Sequence, residues 1–260
     1  MSEAVKLERH GAVVVLRLDD PSAMNALSPA VKAGMEKNVP TLVGDASVRA
    51  MVITGTGKAF CAGGDIRAMQ AVEGRKAPAV RTRMKEAHAW ARALLDCDKP
   101  VIAAVNGAAV GGGLALALLA DLIVASREAY FMSGYSKLGA LPDLGLLQTL
   151  PWAIGSLRAK EMILLNRRYT ADEAVAIGLA NRAVAPERLM PEALAMAEEI
   201  AAGPGPMLSM SKVMMKRAYE ASVEEFFERE AIAQGVAFGS TEFNEGVEAF
   251  LSKRKPRFNG

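Results

Sequence analysis

The chain has 260 residues, of which 51% are hydrophobic and 23% charged, a composition that supports a sizeable core and excludes disordered and fibrous classes. Lys and Arg number 31 against 29 Asp and Glu, for a net charge of +2. Because the basic residues are dispersed, apart from Lys253-Arg254-Lys255, no nucleic-acid partner is expected. Two cysteines, Cys61 and Cys97, are too few for a disulfide framework and fit a reducing, cytoplasmic setting.

The opening MSEAVKLERHG has no apolar stretch of the signal-peptide kind and carries acidic residues, unlike a transit peptide. Strands are predicted over Val13–Leu18, Ala50–Thr54, Val101–Val105, Leu122–Ala125 and Ala129–Met132. Helices are predicted over Pro29–Val39, Ala79–Leu95 and Leu114–Ala120. This alternation indicates an α/β layered fold, and runs that are apolar throughout suit strands covered on both faces. Residues 101–125 are long and apolar enough to raise a membrane span. Asn106, Asp121 and three consecutive glycines interrupt the run, and a buried strand, turn and helix explain it better. Beyond about residue 145 strand signals nearly vanish, and Leu157–Leu165, Ala171–Gly178, Pro191–Ala202, Met207–Ala221 and Val223–Phe238 read as helices. Thr170 and Glu173 form a capping box, and Gly178 ends that helix. The expected division is an α/β core over residues 1–200 and a helical region over 201–260, with no polar linker between them.

Two glycine turns carry the chemistry. Ile53–Ile66 ends a strand, loops, and passes through Gly63-Gly64-Asp65 into a short helix. Asn106–Leu114 repeats the arrangement with Gly111-Gly112-Gly113. Glycine admits close backbone approach, and the first amides of a helix lack internal partners. Converging turns would aim two amides at one developing negative charge, each worth roughly 3–4 kcal/mol in a transition state. Two tight packing turns are the plain alternative. No phosphate-loop pattern is present, and no His, Cys or acidic cluster has metal-ligand spacing.

Ala59-Phe-Cys-Ala-Gly-Gly-Asp-Ile66 and Ala104-Val-Asn-Gly-Ala-Ala-Val-Gly-Gly-Gly113 resemble the two signature segments of the crotonase, or enoyl-CoA hydratase/isomerase, superfamily. The likeness extends through Asp19–Leu27, Phe131–Pro151, Leu157–Ala183 and Phe250–Asn259. It implies a crotonase-like spiral of ββα units with a helical C-terminal trimerisation region, assembled as trimers or hexamers. It also implies an acyl-CoA substrate, with coenzyme A entering as part of the thioester and no separate cofactor. Gly64 and Gly112 would be the oxyanion amides. Met24, Ala26, Leu27, Ala62, Gly64, Asp65, Ile66 and Gly112 would hold the coenzyme A ester. Lys253, Arg254 or Lys255 would reach a neighbour's nucleotide or else form a solvated tail.

The family's hydratases place water with two glutamates, and the matching positions here are Ala115 and Tyr135. Hydration needs a base for the water and an acid for the carbon, so the two-glutamate route is not expected. Asp143, after Pro142, matches the aspartate of the family's isomerases, including the ring-epoxide isomerase of phenylacetyl-CoA degradation. Its plainer role is to cap a helix beginning near Leu144. The leading expectation is an enoyl-CoA isomerase in which Asp143 moves the proton, with Tyr135 as a possible auxiliary. His88, mid-helix, matches the water-activating histidine of the family's aromatic acyl-CoA dehalogenase, and a pocket-lining histidine without chemistry is the alternative. Cys61 with His88 would make a nucleophile-base pair, against a small buried hydrophobe. Hydrolytic dehalogenation, thioester hydrolysis by Asp143 and His88, and non-catalytic acyl-CoA binding are the competing functions.

Overall fold

A computed structural model describes residues 3–70 and 77–258. The strands β1 (Val5–His10) and β2 (Val13–Leu18) form an antiparallel hairpin. Gly11 turns it at φ 59, a left-handed conformation that a two-residue hairpin loop asks for. From β2 the sheet continues through β3 (Ala50–Gly55), β5 (Val101–Val105), β7 (Leu122–Ser126) and β10 (Arg182–Val184), all in parallel. A second sheet runs β4 (Ala59–Cys61), β6 (Ala108–Val110), β8 (Tyr130–Met132) and β9 (Arg168–Thr170).

The chain order explains the two sheets. Each of β3, β5 and β7 runs in the large sheet, and the strand that follows it enters the small one. Helices then return the chain: α2 (Ile66–Gln70) and α3 (Ala77–Asp96) after β4, α4 (Gly112–Leu118) after β6, α5 (Leu146–Ile154) and α6 (Ser156–Leu164) after β8. This is the expected ββα winding. Parallel neighbours need such crossovers, which put helices over the sheet faces.

Both faces of the large sheet are buried. Val14, Leu16, Met51, Ile53, Val101 and Ala103 enter the main core with Val31, Met35, Val39 and Leu42 of α1 (Pro29–Gly44). Val13, Val15, Ala50, Val52, Ile102 and Ala104 face the other way, under Leu189, Ala193, Ala197 and Ala201 of α8 (Leu189–Ala201). The four-residue spacing puts these small side chains on one stripe, which brings α8 close to the sheet. Alternate residues feed opposite cores, so the strands read as apolar throughout.

Residues 101–125 form β5, β6, α4 and the start of β7 rather than a membrane helix. No helix among the described residues is long and apolar enough to cross a membrane. The capping box is present: Thr170 Oγ1 accepts from Glu173 N at 3.3 Å, and Glu173 Oε2 accepts from Thr170 N at 2.8 Å. It starts α7 (Ala171–Ala176), and Gly178 follows the helix at φ 81.

Several elements depart from expectation. The strand expected from Ala129 begins at Tyr130. Two strands, β9 and β10, lie beyond residue 145, each three residues long and too short to show a period. After α9 (Gly205–Arg217) and α10 (Val223–Phe238) comes α11 (Thr241–Leu251), not anticipated, although Ser240 caps it by accepting from Phe243 N at 3.0 Å. Helices α9, α10 and α11 leave Met215, Phe227, Ile232, Val236, Phe238 and Phe250 exposed.

Candidate active site

The first glycine turn is sewn to the loop before α1. Ala62 N donates to Met24 O at 3.0 Å, and Leu27 N donates to Gly63 O at 2.7 Å. Leu27 and Gly64 form an isolated parallel bridge. The loop is anchored by buried Asn25, whose Nδ2 donates to Thr56 O (2.9 Å) and Ala59 O (2.7 Å) and whose Oδ1 accepts from Asp20 N (2.9 Å). Met24 and Asn25 both hold φ 53, a left-handed backbone that a methionine adopts only when its surroundings impose it. The structure thus gathers Met24, Ala26 and Leu27 against Ala62 and Gly64. Asp65 Oδ1 accepts from Ala68 N at 3.0 Å at the start of α2, and Ile66 and Met24 are both exposed.

The second turn meets the first. Gly111, at φ 56, precedes α4, and Gly112 is the first residue of that helix. A Cβ on Gly63, itself at φ 97, would stand 2.7 Å from Val110 O and 3.4 Å from Gly112 N. The two turns are therefore in contact, and a side chain at Gly63 would part them. Their neighbouring amides are committed, with Gly111 N donating to Met132 O at 3.0 Å and Ala115 N to Gly111 O at 3.0 Å. The Gly64 and Gly112 amides donate to no acceptor among the described residues.

Asp143 and Tyr135 close the third side. A Cβ on Gly111 would lie 3.8 Å from two carbons of the Tyr135 ring, and one on Gly112 would lie 3.7 Å from Leu144 Cδ1. The Tyr135 hydroxyl donates to Asp143 Oδ1 at 2.5 Å. Burial first, and the Asp143 carboxylate second, push the Tyr135 phenol above its ordinary value, so it remains a protonated donor. Gly134 N, one residue earlier, donates to Asn166 Oδ1 at 2.6 Å, which pins the Tyr135 segment to the end of α6. Asp143 is not a helix cap. Helix α5 begins at Leu146 with Gly145 before it and no side-chain cap bond. Asp143 contributes only its backbone oxygen, which accepts from Leu146 N at 3.0 Å. Leu144 between them is buried at φ 49.

The remaining candidates separate. Ala115 is fully buried in α4 and offers no polar group. His88 is exposed on α3, shares a cavity of about 210 Å³ with Ala91, Leu144 and Gly145, and makes no hydrogen bond to Asp143. Cys61 is fully buried, and burial pushes its thiol up to about 12, so it is not a thiolate nucleophile. Arg254 is engaged within its own chain, with Nη1 2.6 Å and Nη2 2.9 Å from the Glu245 carboxylate. Asn259 lies outside the described residues. No group of three or more His, Cys, Asp or Glu among the described residues is placed to hold a metal ion.

Two abutting glycine turns with free amides, set into paired sheets by ββα units, define the crotonase class. Comparison with known proteins agrees. The enoyl-CoA hydratase/isomerase family model matches residues 8–260. A "probable enoyl-CoA hydratase" of Rhizobium meliloti is 36% identical over 259 residues, covering 98% of each chain. The 1,2-epoxyphenylacetyl-CoA isomerase of Escherichia coli is 32% identical over 261 residues, covering 100% of each. An enoyl-CoA hydratase subunit from Geobacillus kaustophilus has a crystal structure that superposes with a TM-score of 0.91 at 37% identity, over 100% of both chains. The chain belongs to the enoyl-CoA hydratase/isomerase family and is an enzyme of that family. Hydratase names prevail among its relatives.

Proposed function

We propose that the protein is an enoyl-CoA isomerase that shifts a double bond through a thioester enolate. The observation that carries this reading is the Asp143 carboxylate beside the two glycine turns, released from capping and held through Oδ1 by Tyr135. The amides of Gly64 and Gly112 polarise the thioester carbonyl and stabilise the oxyanion as a carbon-bound proton leaves. Asp143 Oδ2 takes that proton and returns it at another carbon, so the electron pair of the broken C–H bond becomes the relocated double bond. The loop 24–27 and the segment 62–66 hold the coenzyme A part.

Two features argue against hydration, despite the names of the relatives. Ala115 lacks any acid or base, and Tyr135 is a hydroxyl donor rather than a carboxylate. Hydrolysis through Asp143 and His88 is disfavoured by the exposed, unengaged imidazole. We further propose that α9, α10 and α11 pack in a homotrimer, or a hexamer of paired trimers, covering their exposed apolar faces.

Asp143→Asn tests the reading. Turnover of a 3-enoyl-CoA to its 2-enoyl isomer is expected to fall about 10²- to 10⁴-fold, with acyl-CoA affinity retained. In deuterated water the wild type is expected to place deuterium at carbon in the product to the extent that the Asp143 carboxyl exchanges before it returns its proton. Undiminished turnover in the variant would remove Asp143 from the mechanism, and oxygen from labelled water in the acyl product would remove the isomerase reading. Binding without turnover across a broad acyl-CoA panel would make the chain an acyl-CoA binder.

A further inference from the structure

The two helices beside Asp143 each carry a cation where a core side chain belongs. On α3 the buried residues include Ala87, Ala91 and Leu94. Arg83, one turn before Ala87, continues that stripe and is only half-exposed. On α1, Lys32 lies three residues before Met35 and seven before Val39, both fully buried, and is itself half-buried. The two helices pack against each other, and Lys32 stands within electrostatic reach of Arg83, Asp143, Glu36 and Asp65.

Neither cation has a direct partner among the described residues. Lys32 and Arg83 make no ion pair or hydrogen bond there, and Arg83 Nε is buried with no acceptor. Of the carboxylates nearby, Asp143 Oδ1 takes the Tyr135 hydroxyl, Asp65 Oδ1 takes the Ala68 amide, and Glu36 is exposed on α1 without pairing with Lys32. A buried guanidinium N–H without an acceptor is costly, and two like charges on facing apolar stripes repel. Burial, and then the Arg83 charge, holds the Lys32 ammonium below its ordinary value. One bound anion would resolve both penalties, since a guanidinium fork suits a carboxylate in a planar, two-bond grip.

We propose that Lys32 and Arg83 bind a carboxylate at the far end of the acyl group, making dicarboxylic acyl-CoA esters the substrate class. This inference rests on the acyl-CoA site of the preceding section. The pair lies where α1 packs on α3, with Lys32 within electrostatic reach of Asp143, which favours the acyl group over the nucleotide as the source of the anion.

The test compares saturated esters of equal length, with and without a terminal carboxylate: succinyl-, glutaryl-, adipoyl- and suberoyl-CoA against the corresponding monocarboxylic esters, with free coenzyme A as a third arm. At one or more chain lengths the wild-type protein is expected to bind the dicarboxylic ester at least tenfold tighter by calorimetric titration. Arg83→Met and Lys32→Met are each expected to bring that ratio close to one, and Arg83→Lys to retain part of it. Methionine suits an otherwise apolar stripe, so both variants are expected to melt no lower than the wild type. Equal affinity at every length would overturn the proposal. So would variants that weaken free coenzyme A as much as the dicarboxylic ester, because the pair would then serve a phosphate. Saturated esters cannot isomerise, so this outcome is read independently of turnover in Asp143→Asn.

Discussion

Single glycines in this protein differ sharply in what they permit. A Cβ on Gly113 would run into the backbone carbonyl of Cys61, which is fixed in a strand. One on Gly64 would meet the methyl end of Met69, a flexible and half-exposed side chain. Gly113→Ala is therefore expected to cost about 3 kcal/mol or more, and Gly64→Ala under about 1 kcal/mol, on the scale of overpacking into rigid and yielding surroundings. Urea unfolding of the two variants checks the ordering. The same scale shows where sequence reading stops. Glycine motifs and the aspartate after Pro142 are visible because they sit at fixed places in contiguous segments. The Tyr135–Asp143 bond is not, since it joins residues eight apart across a turn whose shape depends on a left-handed Leu144. Lys32 and Arg83 look like ordinary solvated helix cations until α1 and α3 are seen face to face.

Among the elements, legibility followed length. β2 and α10 have the bounds expected, because a six-residue strand with five apolar residues and a capped sixteen-residue helix each carry a full pattern. β4, β6, β9 and β10, with three residues each, are too short to show a period, although β8, equally short, is legible from its apolar run. β1 is illegible for another reason: as an edge strand it buries Val5, exposes Lys6, Leu7 and Arg9 and half-buries Glu8 against Arg17, so its composition resembles a loop. The end of the chain makes its own prediction. Glu245 on α11 accepts from Arg254 and from the Arg257 amide at 2.6 Å, and these hold its carboxyl down to about 2. A depressed carboxyl contributes stability above the ordinary glutamate range near pH 4.3 and loses it as pH falls toward about 2. Arg254→Ala is expected to return the Glu245 titration toward its ordinary range, as followed by the chemical shift of its carboxyl carbon. An unchanged titration would mean that the Arg257 amide alone holds the group.

For the whole molecule, the unexplained surface is the apolar face of α9, α10 and α11. Phe250 is 83% exposed and Phe227, Ile232 and Val236 are more than half exposed, and exposed apolar area gathered on one side marks an interaction surface. The expectation is a sedimentation mass of three or six chains, and Phe227→Glu combined with Phe250→Glu is expected to shift it to one. A wild-type monomer at micromolar concentration would leave that face for another partner.

The pieces around the two glycine turns come from residues as far apart in the chain as Met24 and Gly145, and they meet only where the small sheet closes against the large one. No contiguous fragment carries a working half. Catalysis should consequently vanish in step with global unfolding rather than ahead of it or in stages. That would make a simple rate assay a gauge of how much of the population is intact.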